Sequence, residues 1–95
     1  MVVVVANLKV AEGKGNDVVE AFRKVVPLIR QDPGTVAYNI LQVANNPDKI
    51  TVLERYENRE ALQYHGQTEH FKEFGRNTRE SFAGRAEIAL YDEVV

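Results

Sequence analysis

Apolar and polar residues change their spacing several times along this chain, and each change marks an element. Val2–Val10 is rich in β-branched residues and stops at the turn cluster Glu12-Gly13-Lys14-Gly15, so it reads as a strand and a loop. Asp17 with Glu20 three residues on forms a capping box. Val18, Phe22, Val25 and Ile29 then recur at helical spacing, with Val19 and Val26 widening the stripe. Pro27 removes one helical hydrogen bond and predicts a kink or split near the last turn. Asp32-Pro33-Gly34 orders proline and glycine as a type II turn requires. Thr35–Val43 reads as a second strand, Asn45–Lys49 as a hairpin loop and Ile50–Tyr56 as a third strand. Asn58 caps a helix with Ala61, Leu62, Tyr64 and His65, and Gly66 weakens it. Thr68 caps a fresh helix, Thr68–Phe82, with Phe71, Phe74, Thr78 and Phe82 on one side, and Gly84 suits its C-terminal cap. Arg85–Tyr91 alternates as a fourth strand. The order β-α-β-β-α-β predicts an α+β, ferredoxin-like domain spanning residues 1–95, with a four-stranded antiparallel sheet and helices on one face.

The strand faces add a second expectation. Val2, Val4, Ala6, Leu8 and Val10 share one face of the first strand, and Val3, Val5, Asn7 and Lys9 the other. Val36, Tyr38 and Ile40 oppose Ala37, Leu41 and Val43, while Ala86, Ile88 and Leu90 oppose Ala89 and Tyr91. A sheet with one wet face alternates cleanly, and this one does not. The helices can cover one face only. A second copy packed face to face would cover the other, which predicts a homodimer. The plainer explanation is that some valines serve strand propensity and remain exposed.

Composition narrows the classes. The chain has 95 residues, room for one domain, and a domain this short has a thin stability margin. It has no cysteine, which removes disulfides, thiolate metal sites and cysteine nucleophiles. A net charge of −2 lacks the basic excess of a nucleic-acid binder. The longest apolar run, Met1–Ala6, is too short to span a membrane and lacks the flanks of a signal peptide, so the expectation is a cytoplasmic protein without a membrane partner.

Few residues suggest chemistry. Gly13-Lys14-Gly15 lacks the remaining residues of a dinucleotide fingerprint or P-loop and reads as a turn. His65 and His70 lie five apart, about 140° around a continuous helix, which disfavours a shared metal. Ser81 is the only serine, and no triad is evident. Asn7 interrupts a valine-rich strand: either it bonds neighbouring backbone, or its amide faces a pocket. Glu54 shares a face with Ile50, Val52 and Tyr56; it either pairs with an arginine such as Arg55 or orients a histidine. His65 follows Tyr64 on a helix stripe and is either a packed histidine or a catalyst. Tyr38, Phe71, Phe74 and Phe82 are core candidates first and pocket walls second.

The run Leu53-Glu54-Arg55-Tyr56-Glu57-Asn58-Arg59-Glu60-Ala61-Leu62-Gln63-Tyr64-His65, followed by Thr68-Glu69-His70-Phe71, resembles the signature of the antibiotic biosynthesis monooxygenase family. Asp32-Pro33-Gly34 and then Tyr38 fit the same pattern. The resemblance extends over essentially the whole chain. It implies a dimeric α+β barrel with a pocket in each subunit between sheet and helices. Its members include enzymes that oxidise polycyclic phenols or quinols with dioxygen and no cofactor, haem-degrading enzymes, an isomerase of a phosphorylated autoinducer sugar, and proteins without known activity. Haem degradation there uses a first-strand Asn, a Trp and a His. Asn7 matches the first, but this chain has no tryptophan, which disfavours that activity.

The expectation is a cofactor-independent monooxygenase acting on a quinol or related small aromatic. Such chemistry needs a dry pocket, a base and donors that hold an anion. His65 is expected as the base, Glu54 as its orienting partner and Asn7 as a donor to a substrate oxygen. Tyr38, Phe71, Phe74 and His70 are expected around the substrate. Two alternatives stay open: an isomerase moving protons on a small carbonyl metabolite, and a non-catalytic dimeric ligand-binding domain.

Overall fold

A computed structural model describes residues 1–95. In chain order it contains β1 (Val2–Asn7), α1 (Gly15–Ile29), β2 (Thr35–Val43), β3 (Asn46–Tyr56), α2 (Arg59–Gln67), α3 (Glu69–Thr78), a 3-10 turn (Arg79–Ser81) and β4 (Glu87–Asp92). The strands form one sheet in the order β2-β3-β1-β4, and every neighbouring pair is antiparallel. This is the ferredoxin-like arrangement that the element order predicts. No helix is long and apolar enough to cross a membrane.

The helices cover one face of the sheet. Val18, Phe22, Val25, Val26 and Ile29 of α1 pack against Ala6 of β1, Ile50 and Val52 of β3, and Tyr38 of β2. A second buried group joins Val2, Val4 and Tyr56 to Ala61 of α2. Each fully buried aliphatic or aromatic side chain contributes about 1.5–3 kcal/mol. The stripe read from the sequence is therefore the core stripe.

Several boundaries differ from expectation for local reasons. β1 ends at Asn7 rather than Val10; Val10 keeps only an isolated bridge to Phe82. β3 begins at Asn46, so Asn46–Lys49 belongs to a strand and not to a loop. Pro47 is tolerated there because β1 pairs only with residues 51–56, which leaves one side of β3 free of a ladder at that point. The capping box does not form: α1 starts at Gly15, and Lys14 provides no side-chain cap. Instead the Asp48 carboxylate accepts the backbone N–H groups of Gly13 and Gly15, each at 2.8 Å. A Cβ at Gly15 would run into the Pro47 carbonyl, so glycine lets the hairpin dock on the helix end. Pro27 does not split α1; it lies exposed in the last turn, where one lost hydrogen bond is least disruptive. Gly84 caps nothing, since α3 ends at Thr78 and the following 3-10 turn at Ser81. β4 is Glu87–Asp92 rather than Arg85–Tyr91.

Three local signals hold. Gly34 has φ +78°, and the Thr35 N–H donates to the Asp32 carbonyl at 3.2 Å, closing the Pro33-Gly34 turn. Asn58 Oδ1 accepts from the Ala61 N–H at 2.9 Å and caps α2. Thr68 Oγ1 accepts from the Phe71 N–H at 3.2 Å and caps α3. These three devices aim the loops and helices that carry the polar residues described next.

The opposite sheet face carries Val3, Val5, Leu53 and Ala89, all of them partly exposed, with Leu41 and Tyr91 about half exposed beside them.

Candidate functional site

Strand parity puts Glu54 and Tyr56 of β3 on the helix-covered face, two residues apart. The Tyr56 hydroxyl donates to Glu54 Oε1 at 2.5 Å. Tyr38 lies opposite Glu54 in the β2–β3 register. The Asn58 cap launches α2 so that His65 meets this strand pair: its Nε2 is 3.9 Å from Glu54 Oε1. That separation is an electrostatic contact and too long for a hydrogen bond. Both side chains are almost sealed, 5% exposed for His65 and 8% for Glu54.

Aromatic rings enclose the imidazole. Phe71 lies 4.2 Å from it by ring centroid, Tyr38 5.2 Å and Tyr56 5.8 Å. Phe74 stacks with Phe71 at 6.1 Å and contacts Phe22 at 4.5 Å. Thr68 breaks the helical segment into α2 and α3, so His65 and His70 are not on one helix as the 140° estimate assumed. His70 Nε2 lies 3.0 Å from Oδ2 of the buried Asp32. Two buried polar atoms have no partner, His65 Nδ1 and Thr35 Oγ1.

Burial sets the protonation states. Desolvation pushes the Glu54 carboxyl up to about 7 from 4.5, and the hydrogen bond from Tyr56 pulls the other way. Desolvation lowers His65 to about 4 from 6.5; the Asp32 charge opposes this, and His70 adds to it. Burial raises the phenols of Tyr38 and Tyr56 far above their ordinary range, with Glu54 contributing to both, so both stay neutral. At neutral pH the imidazole is therefore uncharged and the carboxyl is close to half ionised. This reverses the order of basicity expected for a carboxylate and an imidazole.

Of the residues singled out from sequence, the structure brings together Glu54, His65, Tyr38 and Phe71, with Phe74 and His70 at the rim. It does not bring Asn7. That residue sits on the opposite sheet face, exposed, where its Oδ1 accepts from Thr51 Oγ1 at 2.7 Å. The reason is parity: Asn7 pairs with Thr51, and Glu54 pairs with Val4. Arg55 is not the partner of Glu54 either; it also faces the open side and forms a two-pronged ion pair with Glu93. Asp32 and Tyr56 were missed as site residues. Tyr56 had a usable signal, an i,i+2 relation to Glu54 on a strand. Asp32 had none, because its turn motif accounts for it locally.

A groove of about 440 Å³ opens between α1 and α3. Its wall includes Lys24, Val25, Leu28, His70, Glu73 and Phe74, and neither Glu54 nor His65 is in that wall. The polar centre is thus separate from the groove, and His70 belongs to its boundary.

Comparison with known proteins agrees with the fold. The sequence profile described as antibiotic biosynthesis monooxygenase matches residues 1–77. An uncharacterized protein of Synechocystis is 30% identical over 90 residues, which is 95% of this chain but 61% of that protein. The chain therefore spans less than two thirds of that relative's length. Among solved structures, a Nitrosomonas europaea protein provisionally named an antibiotic biosynthesis monooxygenase superposes with a TM-score of 0.94 at 23% identity, covering 100% of both chains. A Caulobacter crescentus protein with the same provisional name gives a TM-score of 0.90 at 29% identity, covering 99% of this chain and 90% of that one.

Proposed function

The chain belongs to the antibiotic biosynthesis monooxygenase family, and from that premise we propose that it is a cofactor-independent monooxygenase that oxidises a quinol or related small aromatic with dioxygen. The observation that carries this is the Glu54 carboxyl, raised to about 7 and sealed beside a neutral imidazole within aromatic walls. A base of that pKa is matched to remove a proton from an acidic hydroxyl at neutral pH.

The site is closed in the free chain, so the proposed reaction begins with its opening to admit the aromatic, whose hydroxyl proton ionised Glu54 then takes. The resulting anion passes one electron to dioxygen, the two radicals combine at a ring carbon to give a peroxide anion, and protonated Glu54 returns its proton to that peroxide to give a hydroperoxide. Loss of water, with the proton of that carbon, leaves a new carbonyl. One oxygen atom enters the product and the other leaves as water, so the substrate itself supplies all the electrons. The orphaned Nδ1 of His65 offers a hydrogen bond to a substrate oxygen. Tyr38 and Phe71 exclude water, which keeps the anion reactive.

A second copy on the open sheet face is part of the same proposal. Val3, Val5, Leu53 and Ala89 form the partly exposed apolar centre of that face, and a face-to-face partner would bury them. Light scattering should return twice the chain mass.

Oxygen uptake over a panel of quinols and phenols tests the activity. The expected result is uptake with at least one quinol, reduced about 10²–10⁴-fold in Glu54→Gln. Proton exchange into a carbonyl substrate without oxygen consumption would instead support the isomerase alternative.

A further inference from the structure

Two buried polar atoms lack a partner, and the proposed reaction uses only one of them, His65 Nδ1. The other is Thr35 Oγ1. Buried hydroxyls nearly always meet a hydrogen-bonding group, and an unmet one destabilises the chain that carries it. Valine has a similar shape and also favours strands, so strand propensity alone does not account for threonine at this position.

The strand register places Thr35 in the site. It stands opposite Tyr56 on the β2–β3 ladder, as Tyr38 stands opposite Glu54, and directly opposed residues share a sheet face. The bulge between Thr35 and Ala37 takes up the odd residue, so Thr35 and Tyr38 both face the helices. The Tyr56 ring beside Thr35 lies 5.8 Å from the imidazole, and its hydroxyl donates to Glu54. Gly34, next to Thr35, packs so closely on Ala61 of α2 that a Cβ there would collide, and His65 follows Ala61 by one helical turn. Thr35 and the Glu54–His65 pair therefore lie under the same helix, at the two ends of a patch about 7 Å long, the two-residue step from Tyr56 to Glu54.

We propose that Thr35 is the specificity-determining residue of this site: its hydroxyl takes the second oxygen of an aromatic that carries one oxygen at each end of the ring, while Glu54 and His65 hold the first. The site thereby selects a para-dihydroxy ring over a ring with a single hydroxyl. A threonine hydroxyl both donates and accepts, so it serves that oxygen as a hydroxyl before oxidation and as a carbonyl after it. The inference rests on the proposed reading of the Glu54–His65 pair as the aromatic-binding site.

The rival is a structural hydroxyl that an ordered water satisfies and that is indifferent to substrate. Titration with hydroquinone and with phenol under argon, followed by NMR of the protein, separates the two without turnover. Wild-type protein should bind hydroquinone at least about tenfold more tightly than phenol. Thr35→Val should bring that ratio to one or below, and Thr35→Ser should retain it. Thr35→Val also removes the unmet hydroxyl, so its unfolding equilibrium constant in urea should fall at least about fivefold. If Thr35→Val fails to fold, Thr35→Ala removes the same group and carries the same binding test. A preference that survives loss of the hydroxyl overturns the assignment, and so does wild-type protein without a preference. Thr35→Val of unchanged stability overturns it as well, because the hydroxyl would then have a partner in the free chain. Failure of hydroquinone and phenol alike to bind would overturn the aromatic reading together with it. A hydroquinone preference that depends on Thr35, found without oxygen uptake, would support Thr35 and count against the monooxygenase reaction alone.

Discussion

Two acidic pairs on opposite sides of one strand show how burial changes what a carboxylate does. Arg55 and Glu54 are consecutive on β3. Arg55 faces the open side and meets Glu93 at 2.8 Å, with side chains 38% and 35% exposed. Glu54 faces the helices and meets His65 at 3.9 Å, with both side chains under a tenth exposed. The exposed pair is closer and better aligned, but water screens it, and such pairs contribute about 0–1 kcal/mol. The buried pair has poorer geometry and far larger consequences. Each group is driven toward its neutral form, and the carboxyl becomes a base suited to neutral pH. The shifted protonation equilibria therefore lie where the contact is longer and drier.

The largest expected effect comes from Glu54→Gln. Glu54 has a folded-state value of about 7 against an ordinary 4.5, so the native state holds its proton where the unfolded chain releases it. Its contribution to stability is intact below pH 4.5 and is lost as pH rises through 7. Glu54→Gln should then stabilise the protein by about 3 kcal/mol at pH 8 and scarcely at pH 4, measured by urea denaturation at both values. His65 acts in the opposite sense. With a folded-state value of about 4 against 6.5, its contribution is intact above pH 6.5 and is lost as pH falls through 4.

Phe71→Ala should come next. It removes the ring nearest His65 and should cost about 2–3 kcal/mol, less than a fully buried phenylalanine because Phe71 is only partly buried. Water admitted to the site should raise the His65 pKa toward its ordinary value, which NMR titration reads. A stability loss without that pKa rise would mean that Phe71 is not the wall that keeps the imidazole dry.

Smaller effects belong to the open face. Arg55→Ala should change stability by less than about 1 kcal/mol in thermal or urea unfolding of the dilute chain. A larger loss at protein concentrations where the proposed second copy forms is expected, because that copy would cover this face and desolvate the pair. Asn7→Ala should leave oxygen uptake within about twofold, because its amide meets Thr51 and not the buried centre. A tenfold drop would erase the distinction between the two faces.

Most of the fold was legible because it rests on local signals. The α1 stripe, the Pro33-Gly34 turn and the Asn58 and Thr68 caps are each written within a few residues. The Asp17–Glu20 capping box failed because a residue distant in sequence, Asp48, supplied the cap instead. Glu54 and His65 were legible as candidates, but their relative basicity was not, since it depends on burial that only the assembled core creates. Asn7 was misjudged for a related reason. Both faces of β1 are apolar, so alternation alone could not say which one meets the helices.

The most direct measurement is the carboxyl carbon signal of Glu54 followed by NMR across pH 3–10 and assigned by its disappearance in Glu54→Gln. A midpoint near 7 is expected for a sealed carboxyl beside a neutral imidazole. A midpoint below about 5, in the ordinary carboxylate range, would mean that Glu54 is solvated or ion-paired in solution and is not the base of this site.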